Sequence, residues 1–250
     1  MPDNSLTIYH TNDLHNHAQP VKWLNSALLE ENSLILDAGD AIWGSNSIYR
    51  HPEPILQLMS QAGFSAMAMG NREFHYSRQV LKQRLEQPAF PILCANLIDL
   101  TGKINEYIKP SLLLKIAHWQ IGIIGLTPVQ YPENGGWEKL WQFRFLPPEV
   151  ALEKALGDFT AKPDLIILLS HLGLEEDKKI ARAFPQVRLI IGGHSHLTLV
   201  TPIELNQSFI MQTGYHGHFL GKITLIAKPK DDGYNFIMKE YQLIKTGHWQ

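Results

Sequence analysis

Residues 64–77, "FSAMAMGNREFHYS", place an apolar run directly before a group of polar side chains. The run is too short for a helix and is bounded by glycine and polar residues, which is typical of a short buried strand. It ends at Gly70 and is followed by Asn71, Arg72 and, shortly after, His75. In open α/β sheets, ligands bind at the carboxyl ends of the strands, so an amide, a fixed cation and an imidazole at this point favour a binding site.

The same strand pattern recurs along the chain, and helical spacing lies between the strands. Six further segments are predicted to be strands buried on both faces: "LTIY", "SLILDA", "FPILCA", "QIGIIGL", "DLIILLS" and "RLIIGG". Helices are predicted within residues 20–31, 52–63, 76–87 and 147–162. This alternation predicts an α/β sandwich built around central sheet.

Two segments break the alternation. Residues 130–148 contain turn residues and two tryptophans, and we interpret them as a long surface loop or lid. Residues 209–227 and 234–244 have the pattern of antiparallel strands. No linker marks a second domain, so we expect residues 1–250 to form a single domain.

Composition limits the classes of partner. With 250 residues, of which 44% are hydrophobic, the chain is long enough for a sizeable core. A formal net charge of −2 gives no electrostatic case for binding a nucleic-acid scaffold. Cys94 is the single cysteine, which excludes an intrachain disulfide. The sequence shows neither a secretory signal nor a long apolar run, so we expect a cytoplasmic protein that does not bind membranes.

Metal-competent side chains follow five of the predicted strands. A single histidine after a strand is more often a hydrogen-bonded loop residue than a ligand, and aspartate beside glycine is ordinary turn chemistry. Here, however, imidazole, carboxylate and amide groups concur at five strand ends without any thiolate, which suits Mn, Fe, Zn or Co. Seven side chains are too many for one catalytic ion and fit two divalent ions that share a carboxylate. The seven are Asp13, His15, Asp40, Asn71, His171, His194 and His196.

Five motifs in order resemble the calcineurin-like metallophosphoesterases, in the branch of the 5′-nucleotidases and 2′,3′-cyclic phosphodiesterases. They are "TNDLHNH", "DAGDAIWGSN", "MGNREF", "LLSHLG" and "IGGHSH", and the resemblance runs from about Leu6 to Ile226. It implies a four-layer α/β/β/α fold with the metal site at the C-terminal ends of the strands. It also implies a small substrate that is a phosphate monoester or diester, which includes nucleotides. A hydroxide held between two metal ions would attack this substrate.

The resemblance also implies a division of the ligands between the two ions. One ion would be held by Asp13, His15, Asp40 and His196. The other would be held by Asp40, Asn71, His171 and His194, which makes Asp40 the bridge.

Arg72 and His75 are departures from the family pattern. The family typically has a histidine after the asparagine, held by an acidic residue a few positions on, and this histidine stabilises the transition state or protonates the leaving oxygen. Arginine can hold phosphoryl oxygens but does not act as a general acid. We therefore expect a preference for leaving groups of low pKa, with Arg72 as a phosphate contact and His75, one turn along the next helix, as a substitute acid. The remaining candidates for that acid are His17, His216 and His218.

Three readings of the site stay open from the sequence. The leading one is a phosphatase or 5′-nucleotidase-like enzyme, and a phosphodiesterase of cyclic nucleotides is the second. The third is a non-catalytic domain that binds a nucleotide or a protein, in which Arg72 marks lost chemistry. The chain ends soon after the last motif, so we expect the C-terminal nucleotide-specificity domain of the 5′-nucleotidases to be absent. Tryptophans of the loops, Trp43 among them, would then either stack a base or pack the loops.

Overall fold

The architecture was obtained as a computed structural model, which describes residues 4–103, 107–231 and 233–247. Its helices begin and end as follows: α1 (Gln19–Ser26), α2 (Pro54–Gln61), α3 (Arg78–Glu86), α4 (Gly136–Trp141), α5 (Pro148–Gly157) and α6 (Leu174–Ala183). None of the helices in these ranges is long and apolar enough to cross a membrane.

The first sheet contains both the N-terminal and the C-terminal strand. Its order is β14 (Gly233–Lys245), β13 (Phe219–Lys230), β1 (Ser5–Thr11), β2 (Ser33–Asp37), β3 (Ala66–Ala68) and β4 (Ile92–Leu93). Strands β1 to β4 are parallel to one another, and β13 and β14 form a hairpin whose strand β13 pairs antiparallel with β1. The parallel strands are buried along almost their whole length, as their continuous apolar runs predict.

The second sheet has a parallel centre and antiparallel edges. Its order is β11 (Ile203–Leu205), β12 (Ser208–Met211), β10 (Leu189–Gly192), β9 (Leu165–Ser170), β7 (Trp119–Leu126) and β6 (Ser111–Ile116). The expectation that residues 209–227 form antiparallel strands holds for β13. It holds only in part for β12, which pairs antiparallel with β11 and parallel with β10. A short ladder joins β5 (Leu97–Asp99) to β8 (Phe143–Phe145).

The two sheets pack face to face and each carries helices on its outer face. Ile8 and Leu36 of the first sheet share one buried cluster with Ile123 and Ile167 of the second. Helices α1, α2 and α3 cover the outside of the first sheet, and α5 and α6 cover the outside of the second. The four-layer α/β/β/α arrangement is therefore confirmed.

The segment predicted to be a long surface loop or lid contains ordered elements. Helix α4 and strand β8 lie within residues 130–148, and Phe143 and Phe145 are buried against Phe74 and Tyr131. The prediction of a long loop was wrong where α4 and β8 form, because the turn residues of "PENGG" dominate the local sequence, whereas the tertiary packing of the aromatic rings decides the structure. Trp137 and Leu140 of α4 are exposed, and the lid stays a prediction.

Candidate metal centre

Parallel strand ends bring the predicted ligands to one edge of the two sheets. Asp13 and His15 follow β1, and Asp40 and Asn71 follow β2 and β3. From the second sheet, His171 follows β9, and the two remaining histidines, His194 and His196, follow β10. Because the sheets pack face to face, the two sets of loops meet, and all seven side chains form one connected group.

One part of this group surrounds the Oδ1 atom of Asp13. Nε2 of His196 lies 3.3 Å from it and Nε2 of His15 lies 3.8 Å from it. The two imidazole nitrogens are themselves 3.2 Å apart. Three ligand atoms that converge in this way are close enough to share one cation.

The other part surrounds His171. Its Nε2 atom lies 3.4 Å from Oδ1 of Asp40 and 3.8 Å from Oδ1 of Asp13. The rings of His194 and His171 are T-shaped at a centroid distance of 5.2 Å, and Nδ1 of His194 lies 3.0 Å from Oδ1 of Asn71. In this structure Asp13 is the residue common to both groups of three ligands, so the bridging role of Asp40 stays a prediction.

Three buried atoms of the centre make no hydrogen bond within the described part of the chain. They are Oδ1 of Asp13, Nε2 of His171 and Nδ1 of His15, and the first two residues are fully buried. The other atoms of these side chains are fixed: Nδ1 of His171 lies 2.7 Å from the carbonyl of Ala38, and Oδ2 of Asp13 accepts the backbone N–H of His194 at 2.9 Å. A buried carboxylate oxygen without a hydrogen bond is costly unless a cation or a proton satisfies it. These orphaned atoms therefore fit divalent cations, with His171 held in the tautomer that offers Nε2.

The carboxylates and the imidazole of His171 at the centre shift one another's pKa values. Burial by itself would lower the pKa of His171, but the Asp40 and Asp13 carboxylates outweigh burial and raise that pKa. Burial opposes the ionisation of Asp40, whereas His171 and the backbone N–H of Arg72 lower the pKa of Asp40 to about 2. The Asp13 and Asp40 carboxylates therefore favour a positive charge at His171, which is the position where a cation would bind.

Strained backbone positions coincide with the ligands. Five of the seven have a left-handed φ, between 45° for His15 and 70° for His194. Residues other than glycine rarely adopt this region, and such outliers concentrate at functional sites. Gly39, with φ 98°, lets the loop after β2 approach His171, since a Cβ there would lie 2.8 Å from Nδ1 of that ring.

Glu73 was missed as a functional residue by the sequence analysis. It is fully buried, and its carboxylate accepts backbone N–H groups from Asp40 at 2.9 Å, Ala41 at 3.0 Å and Gly70 at 2.9 Å. It thus ties the loop after β2 to the loop after β3. The signal was available, because a carboxylate that directly follows Asn71 and Arg72 is a candidate acceptor for the backbone of the neighbouring loop.

A second buried network supports the histidines of the other sheet. Asp177 of α6 accepts the hydroxyl of Ser170 at 2.5 Å, directly before His171. Gln212 accepts the hydroxyl of Ser195, the residue between the two histidines that follow β10, at 2.8 Å. Sequence analysis did not find this network, since Asp177 lies in a helix that was not predicted.

Arg72 lies beside the ligands. Its backbone N–H donates to Oδ1 of Asp40 at 2.7 Å, and its Nε atom lies 3.9 Å from Oδ2 of the same carboxylate. Arg72 forms no ion pair with Glu73 or Glu53 among the described residues, because both glutamates are buried and accept backbone N–H groups instead. The Arg72 side chain is 36% exposed and lines a pocket with His17, His216 and three other residues.

His75 does not lie on the following helix, as the sequence led us to expect. It precedes α3, which begins at Arg78. Its Nδ1 atom accepts the backbone N–H of Ser77 at 2.9 Å, and burial together with Arg84 lowers its pKa. The turn after Asn71 continues for only a few residues before the chain extends, so the helical spacing applied to residues 72–75 was wrong. The role of His75 as an acid stays a prediction.

Among the known families, the calcineurin-like phosphoesterases match residues 6–197. The chain belongs to the calcineurin-like phosphoesterase family. It is 32% identical to the mouse 5′-nucleotidase in an alignment that covers 78% of this chain and 38% of that protein. A crystal structure of a 5′-nucleotidase precursor from Thermus thermophilus aligns with a TM-score of 0.76 at 26% identity, over 96% of this chain and 55% of the other.

A further solved structure shows the same fold over nearly its whole length. The calcineurin-like phosphoesterase YfkN from Bacillus subtilis aligns with a TM-score of 0.82 at 19% identity, over 98% of this chain and 92% of the other. By contrast, this chain spans less than two-fifths of the length of the mouse relative. The family uses divalent metal ions, and the candidate ligands described above are in place for them.

Proposed function

We propose that the protein is a phosphoesterase that binds two divalent metal ions and hydrolyses small phosphate esters, nucleotides among them. The observation that carries this proposal is the pair of buried, unpartnered atoms, Oδ1 of Asp13 and Nε2 of His171, at the meeting point of the two sheets. The ligands are imidazole, carboxylate and amide groups, which favours Mn, Fe, Zn or Co.

The number of candidate ligands, seven, supports a site for two ions and not for a single ion. His15, His196 and Asp13 would hold one ion, and His171, His194 and Asn71 would hold the other, with Asp40 reaching both. Two ions bound there would supply Lewis-acid stabilisation of a phosphoryl group and activation of water. The chain itself contributes the buried hydrogen bonds of Glu73 and Asp177, which hold the ligand loops in place before substrate arrives.

Arg72 is proposed to hold the phosphoryl oxygens. Its guanidinium is partly exposed, lines the pocket beside Asp40 and is fixed in charge at all physiological pH values. Because it does not release a proton, a leaving group must depart without protonation or receive a proton from another residue. We therefore propose a preference for leaving groups of low pKa over simple alkoxides such as a ribose 5′-oxygen.

Nucleotide substrates are part of the proposal on account of the relatives, which include proteins named 5′-nucleotidase from mouse, cattle and rat. The reading as a cyclic-nucleotide phosphodiesterase shares the same metal chemistry and differs in the substrate alone. The non-catalytic reading is disfavoured, since all seven ligands are present and converge.

The deciding experiment measures metal content and turnover together. The protein is loaded with Mn²⁺, and hydrolysis of p-nitrophenyl phosphate, its bis-ester and AMP is followed. The variant is Asp40→Asn, and the matched control is Asp158→Asn at the exposed end of α5. The proposal expects two equivalents of metal and turnover that Asp40→Asn abolishes and Asp158→Asn retains. A wild-type protein that binds no metal and turns over none of the three esters would support the non-catalytic domain.

A further inference from the structure

A second pocket adjoins the one that Arg72 lines. The inner pocket has a volume of about 310 Å³ and includes His15 and Arg72 in its lining. The outer pocket has a volume of about 560 Å³ and is lined by residues 49–54. Asn16 and Trp43 line both pockets. The two therefore form one groove that leads away from the metal centre past the Trp43 ring.

Arg50 places a fixed positive charge in the outer pocket. Its guanidinium carbon lies 4.7 Å from the centroid of the Trp43 ring. Glu53 also lines this pocket, but its two carboxylate oxygens accept the backbone N–H groups of Trp43 at 3.3 Å and Gly44 at 3.0 Å. Arg50 makes no ion pair with any carboxylate of the described residues. Its charge is therefore available to an incoming anion.

Hydrogen bonds with side chains of α3 hold the loop that forms the outer pocket. The buried guanidinium of Arg84 donates to the carbonyl oxygens of Ser45 at 2.8 Å and Ile48 at 2.7 Å. The hydroxyl of Tyr49 donates to Oε1 of Gln83 at 2.8 Å. These bonds fix the loop between Trp43 and Arg50 to α3, so the pocket is formed before a ligand enters it, which lowers the entropic cost of binding.

The groove presents two guanidinium groups on either side of Trp43. Arg72 donates to the carbonyl oxygen of Trp43 at 3.4 Å on the side of the metal centre, and Arg50 stacks on the indole ring on the outer side. Trp43 itself is 56% exposed and offers its remaining surface to the groove. Arg72 therefore lies at the backbone carbonyl of Trp43 and Arg50 lies over its ring. A groove with one cation in each of its two pockets matches a substrate that carries an anion in each half.

We propose that the pocket formed by Trp43, Tyr49, Arg50 and His51 is a second anion subsite, which binds a phosphate carried by the leaving group. The substrate class is then the phosphoanhydrides. In the reaction, water forms the new bond to the phosphorus atom, the bond from phosphorus to the bridging oxygen breaks, and the leaving group departs as a phosphate anion while the water proton passes to solvent. Such a leaving group needs no general acid, which agrees with Arg72 in the inner pocket. The inference rests on the proposed phosphoesterase function.

The test compares two substrates that differ in the second anion. Tripolyphosphate carries phosphates in its leaving group, whereas p-nitrophenyl phosphate releases an aryl oxide without one. Hydrolysis of both is measured at a constant free Mn²⁺ concentration for the wild type, Arg50→Gln and the control Lys115→Gln, which removes an exposed positive charge from the edge strand β6. Arg50 is exposed, and circular dichroism checks that its variant is folded.

The measured quantity is the ratio of kcat/KM for tripolyphosphate to kcat/KM for p-nitrophenyl phosphate. We expect Arg50→Gln to lower this ratio about tenfold through KM, the size of a lost hydrogen bond to a charged group, and Lys115→Gln to leave the ratio at the wild-type value. An unchanged ratio in Arg50→Gln would overturn the subsite. If the wild type hydrolyses neither compound, the proposed function fails, and calorimetric binding of tripolyphosphate decides the subsite: weaker binding by Arg50→Gln supports it, and equal binding overturns it.

Discussion

The guanidinium of Arg84 donates a hydrogen bond of 2.8 Å to the carbonyl oxygen of Arg72. It also donates to the carbonyls of Phe74 at 3.2 Å and, on the other side, of Ser45 and Ile48. A single buried cation thus joins the turn that carries Arg72 to the loop that carries Trp43, and the geometry of the substrate groove depends on it.

Replacing Arg84 is expected to destabilise the fold and to disturb the groove. Arg84→Met removes the donors of several buried carbonyl oxygens, and we expect a loss of at least about 3 kcal/mol in the free energy of unfolding. Lys82→Met on the same helix is the control, since Lys82 is exposed and its ion pair with Glu86 lies at the surface. Urea unfolding of the two variants measures the difference, and equal stabilities would contradict the role of Arg84.

Metal binding is expected to stabilise the protein through His171. At a free Mn²⁺ concentration of about 100 times Kd, binding to the folded state alone adds about 2.7 kcal/mol, which corresponds to a rise in Tm of about 5 to 10 °C for a chain of this size. His171→Ala should lose most of this rise, whereas the exposed His118→Ala should keep it. A chelator should reverse the rise in the wild type. A Tm that does not respond to Mn²⁺ would argue against the metal centre.

Restoring the family residue at position 72 should change the choice of substrate. Arg72→His supplies a side chain that can release a proton, so we expect turnover of AMP relative to p-nitrophenyl phosphate to rise about 10-fold or more. Arg72→Gln is the matched control, because it removes the charge without supplying an acid, and it should lower turnover of both esters. If the ratio is the same in Arg72→His and in the wild type, leaving-group protonation does not limit the reaction.

The acid role of His75 is tested by a different ratio. If His75 supplies the proton, His75→Gln should lower turnover of AMP about 100-fold and leave turnover of p-nitrophenyl phosphate nearly unchanged. Equal losses with both esters, accompanied by a lower Tm, would instead assign His75 a structural role at the start of α3, where it accepts the N–H of Ser77.

His10 is expected to make the fold sensitive to acid. It is fully buried between the sheets beside Tyr241, its two ring nitrogens have no partner within the described ranges, and burial lowers its pKa from 6.5 to about 3. Below about pH 6.5 the unfolded chain binds a proton at His10 that the folded protein does not bind. The free energy of unfolding is therefore highest above that pH and falls as the pH drops towards 3. At about pH 5 the loss is about 2 kcal/mol, from about 1.36 kcal/mol per pH unit.

The measurement for His10 is thermal unfolding between about pH 8 and pH 5, a range that brackets the ordinary pKa of histidine. His10→Leu should lose less stability over this range than the wild type does, because the group that titrates only in the unfolded state is gone. His118→Ala, at an exposed histidine, should follow the wild type. Parallel losses in all three proteins would show that His10 does not control the acid sensitivity.

Much of the fold was predictable because buried parallel strands have an unmistakable pattern. Seven continuous apolar runs correspond to seven strands of the two sheets, and the polar residues after five of them identified the candidate metal centre. Helix α6 and strand β6 were not predicted. Three acidic residues in the first turn of α6, Glu175, Glu176 and Asp177, mask its apolar pattern. Acidic residues at this position nevertheless stabilise a helix, because they lie at the positive end of the helix dipole.

What the sequence did not supply were the contacts between loops that are distant along the chain. Glu73 accepts backbone N–H groups of a neighbouring loop, and Asp177 accepts the hydroxyl of Ser170. The partners lie within the motifs, but no local pattern shows which of these segments meet in space. The proximity of Arg50 to Trp43 also depends on how one loop folds back over α3. Contacts of this kind follow from tertiary packing and are invisible to local periodicity.

The left-handed backbone at five of the candidate ligands also limits how this centre can be re-engineered. Asparagine, aspartate and histidine tolerate that conformation better than other side chains, and aspartate and histidine are at the same time good ligands for hard and borderline cations. Conversion to a thiolate site would require cysteine at positions such as Asp13 or His194, where a left-handed φ costs about 1 kcal/mol or more per residue. Exchange for a soft metal such as Cu(I) would therefore require new loops as well as new side chains.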